Sequence, residues 1–179
     1  MTKGTVMAGK KPTVGVLMGS DSDWPTMTEC AALLKRLDIP HEVRVISAHR
    51  TPETAAKYAK GAEKRGLKTI IAAAGGAAHL AGVIASMTTL PVIGVPMKGC
   101  STDGLDALLS TVQMPGGVPV ATVAVGKAGA RNAAILAGEI LALSDKKLAA
   151  GLKALRAEAA KTVAAKDKAV GREAEKLGT

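Results

Sequence analysis

The stretch Glu42-Val43-Arg44-Val45-Ile46-Ser47-Ala48-His49-Arg50-Thr51-Pro52 changes character twice. Valines alternate with charged residues at a period of two, which predicts a strand over 42–47. Thr51 can then cap a helix, and Pro52 suits its first position. A strand joined to a helix by a short loop is half of a βαβ unit, and repeated units build a parallel sheet. The connecting loop leaves at the carboxyl end of its strand, where open α/β sheets bind ligands. It carries His49, whose side chain type moves protons near neutral pH, beside Arg50, which can hold an anion.

The same alternation extends in both directions. Strand-type segments fall at 13–18, 42–47, 68–73, 91–95 and 120–125, mostly apolar and β-branched, as buried parallel strands should be. Helical stretches fall near 25–37, 52–66, 77–88, 103–112 and 128–143, with Asp23 or Ser22 able to cap the first and Gly66 placed to end the second. The expected fold is α/β, a three-layer sandwich around a parallel five-stranded sheet. Residues 1–12 form an expected flexible N-terminal arm, 13–143 the catalytic α/β domain, and 144–179 a basic C-terminal helical extension. In that extension Leu148, Leu152, Leu155, Ala159 and Val163 make one apolar stripe, which thins beyond about residue 165.

With no Phe, one Trp and one Tyr, small aliphatic side chains must fill the core, which favours closely approaching backbones and tight subunit contacts. The formal net charge of +9 sits mostly at the ends: +3 on residues 1–12 and +4 on 144–179, leaving +2 for the body. Without aromatics among the basic residues, solvated termini are expected rather than nucleic-acid binding. Cys30 and Cys100 share no metal-like or redox-like spacing; Cys30 is expected in the core and Cys100 as an inert or oxidisable thiol. No apolar run reaches the length of a membrane span and no secretory signal opens the chain, so a cytoplasmic protein is expected.

Further loops would open on the same sheet edge. Gly19-Ser20-Asp21-Ser22-Asp23 offers hydroxyls and helix-terminal amides for a phosphate and a carboxylate for ribose hydroxyls, or ordinary capping. Gly75-Gly76-Ala77 lets backbone approach a ligand closely. His79, early in the next helix, reads by itself as a structural histidine, and His41, at the start of a strand, as structural or exposed. No metal-ligand cluster, phosphate-binding P-loop or dinucleotide fingerprint is present in the sequence.

Met18-Gly19-Ser20-Asp21-Ser22-Asp23-Trp24, Ser47-Ala48-His49-Arg50-Thr51-Pro52, Gly75-Gly76-Ala77-Ala78-His79-Leu80 and Val112-Gln113-Met114-Pro115 resemble, in the same order, the class I PurE family. These are the N5-carboxyaminoimidazole ribonucleotide mutases of bacterial purine biosynthesis. The resemblance runs from about residue 13 to 143. It implies a flavodoxin-like domain and a homo-octamer with sites at subunit junctions. It also implies a small nucleotide substrate and no metal, ATP or organic cofactor. By position it makes His49 the catalytic proton shuttle. Arg50 and Ser22 would hold the 5′-phosphate, Asp23 the ribose, with Ser20 nearby. Ser47, Ala48, Gly75, Gly76 and Ala77 would line the carboxylate and carbon dioxide pocket, with His79 in the substrate-binding set.

Ala73 stands where the family would have Gly and Ala81 where Pro is usual; each changes little bulk, so retained activity is expected, with Ala73 able to narrow the pocket, and the loop 97–103 is less typical. The related carboxylase, which takes free carbon dioxide, more often has Lys after the histidine, so Arg50 points to the mutase branch. A non-catalytic nucleotide-binding module would have no use for a titrating group at His49.

Overall fold

A computed structural model describes residues 5–6, 11–99 and 102–178. Five strands run parallel: β2 (Val14–Met18), β3 (His41–Val45), β4 (Thr69–Gly75), β5 (Val92–Met97) and β6 (Ala121–Thr122). A two-residue strand, β1 (Thr5–Val6), adds an antiparallel edge beside β3, which the sequence had not predicted. The sheet order is β1-β3-β2-β4-β5-β6. The parallel part starts at its second position, turns back and then runs outward, which is the flavodoxin-like winding. Its chain reversal falls between β2 and β4, so a crevice opens above their carboxyl ends.

Helices α1 (Trp24–Arg36) and α5 (Gly126–Ala142) cover one face. Helices α2 (Pro52–Ala62), α3 (Leu80–Ala85) and α4 (Leu105–Val112) cover the other. Val16, Met18, Ile71, Ile93 and Val95 point from the strands into the first layer, against Met27, Leu34 and an alanine row, Ala130, Ala133, Ala134 and Ala137. Leu17, Ile70 and Ala72 point into the second, against Ala55, Tyr58, Ala59 and Ile84. The alanine row lets α5 lie close to the sheet, as a core almost without aromatics requires. Gly94 serves the same end for α4: a Cβ there would meet the Thr111 methyl at 2.4 Å.

Several boundaries differ from the sequence expectation. β6 is two residues rather than six: it starts one residue late, at Ala121, and its pairing with β5 ends at Thr122, shortly before α5 opens at Gly126. α3 starts at Leu80, which leaves residues 77–79 in the loop. Ahead of α1, a 3-10 turn over Asp21–Asp23 is capped by Ser20, whose Oγ accepts the Ser22 N–H at 3.3 Å. Asp23 sits at the N-cap of α1 with no side-chain cap bond. Gly66 closes the second helical stretch in a left-handed conformation, as expected (φ 99°).

Residues 146–176 form one helix, α6 (Lys146–Lys176), 31 residues long and about 46 Å from end to end. Asp145 caps it through the Leu148 N–H at 2.9 Å. Leu148, Leu152 and Leu155 pack on the α1/α5 layer, and ion pairs Arg156–Glu139 and Arg36–Glu158 tie that half down. Beyond residue 158 nearly all the helix is exposed, Val163 included. No described helix is long and apolar enough to cross a membrane.

Candidate active site

The four loops leaving β2, β3, β4 and β5 meet around an open cavity of about 450 Å³. It is lined by Gly19, Ser20, Ser22 and Asp23 after β2, and by Ser47 to Arg50 after β3. Ala74 to Ala77 with Leu80 contribute from β4, and Lys98 and Gly99 from β5. Every residue named from the sequence for this site is in that lining except His79, which reaches it through His49.

The 47–51 loop is tied into a tight ring. The Thr51 hydroxyl donates to the Ser47 carbonyl at 2.8 Å and accepts the Ser47 N–H at 3.1 Å. The Thr51 N–H closes on the same carbonyl at 2.9 Å. Thr51 therefore holds the loop shut instead of capping α2, although it occupies the N-cap position. Ser47 Oγ accepts from the Arg50 backbone N–H at 3.2 Å and from its Nε at 3.4 Å. Arg50 Nη2 donates to the Gly19 carbonyl at 3.2 Å, which swings the guanidinium across to the β2 loop. The same β2 loop carries Ser20 and Ser22, whose hydroxyls are linked at 2.9 Å. One guanidinium, two hydroxyls and the backbone of a helical turn at the β3/β2 end of the cavity are groups that can hold an anion.

Asp23 is the buried carboxylate of the site. Desolvation by burial raises its pKa; a hydrogen bond from the Ser20 backbone opposes this, and the Asp21 charge adds to the rise. A desolvated carboxylate facing a cavity is a strong acceptor for hydroxyl groups.

His49 Nε2 lies 2.9 Å from His79 Nδ1, with the rings edge to face at 86°. One nitrogen must donate and the other accept, so the contact couples the proton positions of the two rings. Both rings are exposed at the cavity. That overturns the reading of His79 as a structural histidine: α3 starts one residue after it, and the loop carries the ring over to His49. His41 is the structural one, buried with Nδ1 on the Ile39 carbonyl at 2.9 Å.

Gly76 has a positive φ of 61°, which turns the chain after β4 and leaves the 75–77 backbone bare toward the cavity. Ala73 does not narrow that pocket. Its side chain is fully buried in the α1/α5 layer, and Ala74 and Gly75 are the β4 residues that line the cavity. Ala81 is likewise buried, in the opposite layer. Cys100, expected as an inert thiol, lies outside the described residues; Cys30 is buried, and burial pushes its thiol up to about 12. Lys98 escaped the sequence reading, because a lysine in a loop of small residues carries no signal until β5 is placed beside β4. Among the described residues no group of His, Cys, Asp and Glu could hold a metal ion.

Known proteins are similar to this chain in sequence and in fold. A family described as AIR carboxylase matches residues 13–162, which runs past the sequence-level resemblance into the docked half of α6. An N5-carboxyaminoimidazole ribonucleotide mutase of Mycobacterium tuberculosis is 58% identical over 170 residues, covering 95% of this chain and 97% of the relative. The mutase of that name from Bacillus subtilis is 54% identical over 153 residues, covering 86% and 94%. The crystal structure of Treponema denticola PurE superposes with a TM-score of 0.77 at 31% identity, covering 88% of this chain and 97% of that one.

Proposed function

The chain belongs to the AIR carboxylase family, and from that premise we propose that it is an N5-carboxyaminoimidazole ribonucleotide mutase of purine biosynthesis. It is an isomerase that moves a carboxylate from the exocyclic nitrogen of the nucleotide to carbon 4 of the imidazole ring. The observation that supports the residue assignment is the His49–His79 pair beside a cavity that His49 lines together with Arg50, Ser20 and Ser22.

The nucleotide's 5′-phosphate lies against Arg50, Ser22 and the turn amides, with Ser20 close by, and the ribose hydroxyls donate to Asp23. This places the imidazole over Ser47, Ala48 and His49, and the carboxylate against the bare 75–77 backbone. The N–C bond to the carboxylate breaks, and its electron pair returns to nitrogen, which takes a proton from His49. Carbon dioxide is left beside the ring. Carbon 4 then attacks it, and the proton displaced from carbon 4 returns to His49. Atoms and charge balance over the cycle, and His49 ends in its starting state. His79 is the hydrogen-bond partner that accommodates both proton states of His49, accepting when His49 is charged. Small side chains around 74–77 hold the gas between the two half-reactions and keep bulk water away.

The reaction so read draws on no metal, ATP or organic cofactor, and it belongs in the cytoplasm with the rest of its pathway. Leu105, Leu109 and Val112 form an exposed apolar stripe along α4, next to the short edge strand β6. That stripe supports assembly, and a homo-octamer with sites at subunit junctions is the expected form, checked by sedimentation.

The decisive experiment supplies fresh N5-carboxyaminoimidazole ribonucleotide without ATP or bicarbonate and traps the 4-carboxy product with the next enzyme of the pathway. Rapid product formation is expected. Product only from aminoimidazole ribonucleotide plus carbon dioxide would make the protein a carboxylase, and no product from either would make it a binding module.

A further inference from the structure

Among the described residues lining the cavity, Lys98 is the cation that the proposed chemistry has not used. It follows β5, whose last residue Met97 is paired with Gly75 of β4, so it stands beside the 75–77 backbone. Arg50 stands at the opposite end, after β3. In the order β3-β2-β4-β5 the Arg50 guanidinium, held on the Gly19 carbonyl after β2, and the loop after β5 are two strand spacings apart, about 10 Å. The cavity thus has a guanidinium at one end and an ammonium at the other. A substrate with a phosphate at one end and a carboxylate at the other matches that spacing of charge.

The ammonium is held in reserve. Lys98 Nζ donates to Asp103 Oδ2 at 2.9 Å, and the two side chains are 60% and 78% exposed. An ion pair so open to water is weak and exchanges readily. A lysine has three donors on a flexible stem, so Nζ can swing to a new anion without moving the backbone. Arg50, by contrast, is already committed to Ser47 and Gly19 in a fixed fork. The phosphate end has hydroxyls in addition to its guanidinium. The carboxylate end, among the described residues lining the cavity, has Lys98 as its charged donor.

We propose that Lys98 is a substrate-binding residue that exchanges Asp103 for the migrating carboxylate. The proposal rests on the mutase reading. An ammonium on the carboxylate stabilises the bound anion before and after transfer but not the neutral carbon dioxide between them. Its contribution is therefore to binding of both carboxylated nucleotides and not to the rate of the step.

The test is calorimetric titration of wild type, Lys98→Met, Lys98→Arg and Asp103→Asn with two nucleotides, at one fixed ionic strength. The first is the 4-carboxy product, and the second is aminoimidazole ribonucleotide, which keeps the phosphate but lacks the carboxylate. Lys98→Met should weaken the carboxylated nucleotide about tenfold, as expected for an exposed charge-assisted hydrogen bond, and leave the other within about twofold. Lys98→Arg should restore most of the loss, and Asp103→Asn should bind the carboxylated nucleotide at least as tightly as wild type. In turnover, Lys98→Met should raise KM without lowering kcat. Equal loss for both nucleotides would put Lys98 on the phosphate and overturn the proposal, and no loss for either would make it a bystander. Wild type binding neither nucleotide would overturn the mutase reading and this inference with it, whereas wild-type turnover with an indifferent Lys98→Met overturns this inference alone.

Discussion

Strand β3 carries one polar cluster at each end, and the two are built on opposite terms. At its start Glu42 is buried, and its Oε1 accepts from the Tyr58 hydroxyl at 2.7 Å and Arg65 Nη1 at 2.6 Å. The Arg65 guanidinium also lies 4.5 Å over the Tyr58 ring. Burial, with the Glu42 carboxylate beside it, raises the Tyr58 phenol further above its ordinary value, so it stays a proton donor. After the strand's other end, His49 and Arg50 are exposed, and among the described residues Arg50 has given up only some of its donors. The first cluster is satisfied within the protein, so it can fasten α2 to β3 but has little left for a ligand. The second keeps unused hydrogen-bonding capacity, supported on a loop that the first cluster helps to hold.

The sharpest way to break this contrast is His49→Asn. It should lower turnover by about 10²–10⁴-fold, the usual worth of a positioned proton carrier, while nucleotide binding is retained. A wild-type rate in the trapped assay would end the assignment. Arg50→Ala comes next, raising KM by about 10- to 150-fold for a charge-assisted contact worth ~1.5–3 kcal/mol, with kcat little changed. An unchanged KM would remove Arg50 from the phosphate. The saturated cluster should respond the other way round. Tyr58→Phe should lower stability in urea by about 1–2 kcal/mol and leave kcat within about twofold. A fall in kcat at unchanged stability would mean the two clusters are one.

Asp23 sharpens the comparison, since it is buried like Glu42 but lines the cavity. A carboxyl whose folded pKa is raised adds stability below its unfolded pKa and loses it as pH rises through the folded value. At neutral pH the charged form is therefore a burden on the apo fold. Asp23→Asn should weaken nucleotide binding and raise the neutral-pH melting midpoint by no more than about 2–4 °C, with the gain shrinking as pH falls. A lower midpoint would show that Asp23 is as structural as Glu42. The smallest effect is expected from ending the chain after residue 158, which leaves the docked half of α6 in place. Stability should stay within about 0.5 kcal/mol, measured by thermal unfolding.

Much of this was legible in the sequence. The alternating run at 42–47, the apolar β-branched runs elsewhere and the Gly/Pro punctuation placed the five parallel strands, since buried strands must be apolar and connections must turn. The motifs at 19–23, 47–51 and 75–77 were legible too, because the carboxyl edge of such a sheet gathers its loops. What local pattern could not supply was pairing across the chain. His79 looked structural because its partner is thirty residues away and the start of α3 was placed too early. Ala73 seemed to face the pocket because register alone decides which of two neighbouring alanines points inward. Lys98 carried no signal until the pairing of β5 with β4 set it beside Gly75. The sequence by itself determined the layers, the order of elements and the chemistry available at one edge, because these follow from periodicity and residue type. Only the tertiary structure decided which side chains meet, because strand order and register are set by packing of the whole chain and not by any segment of it.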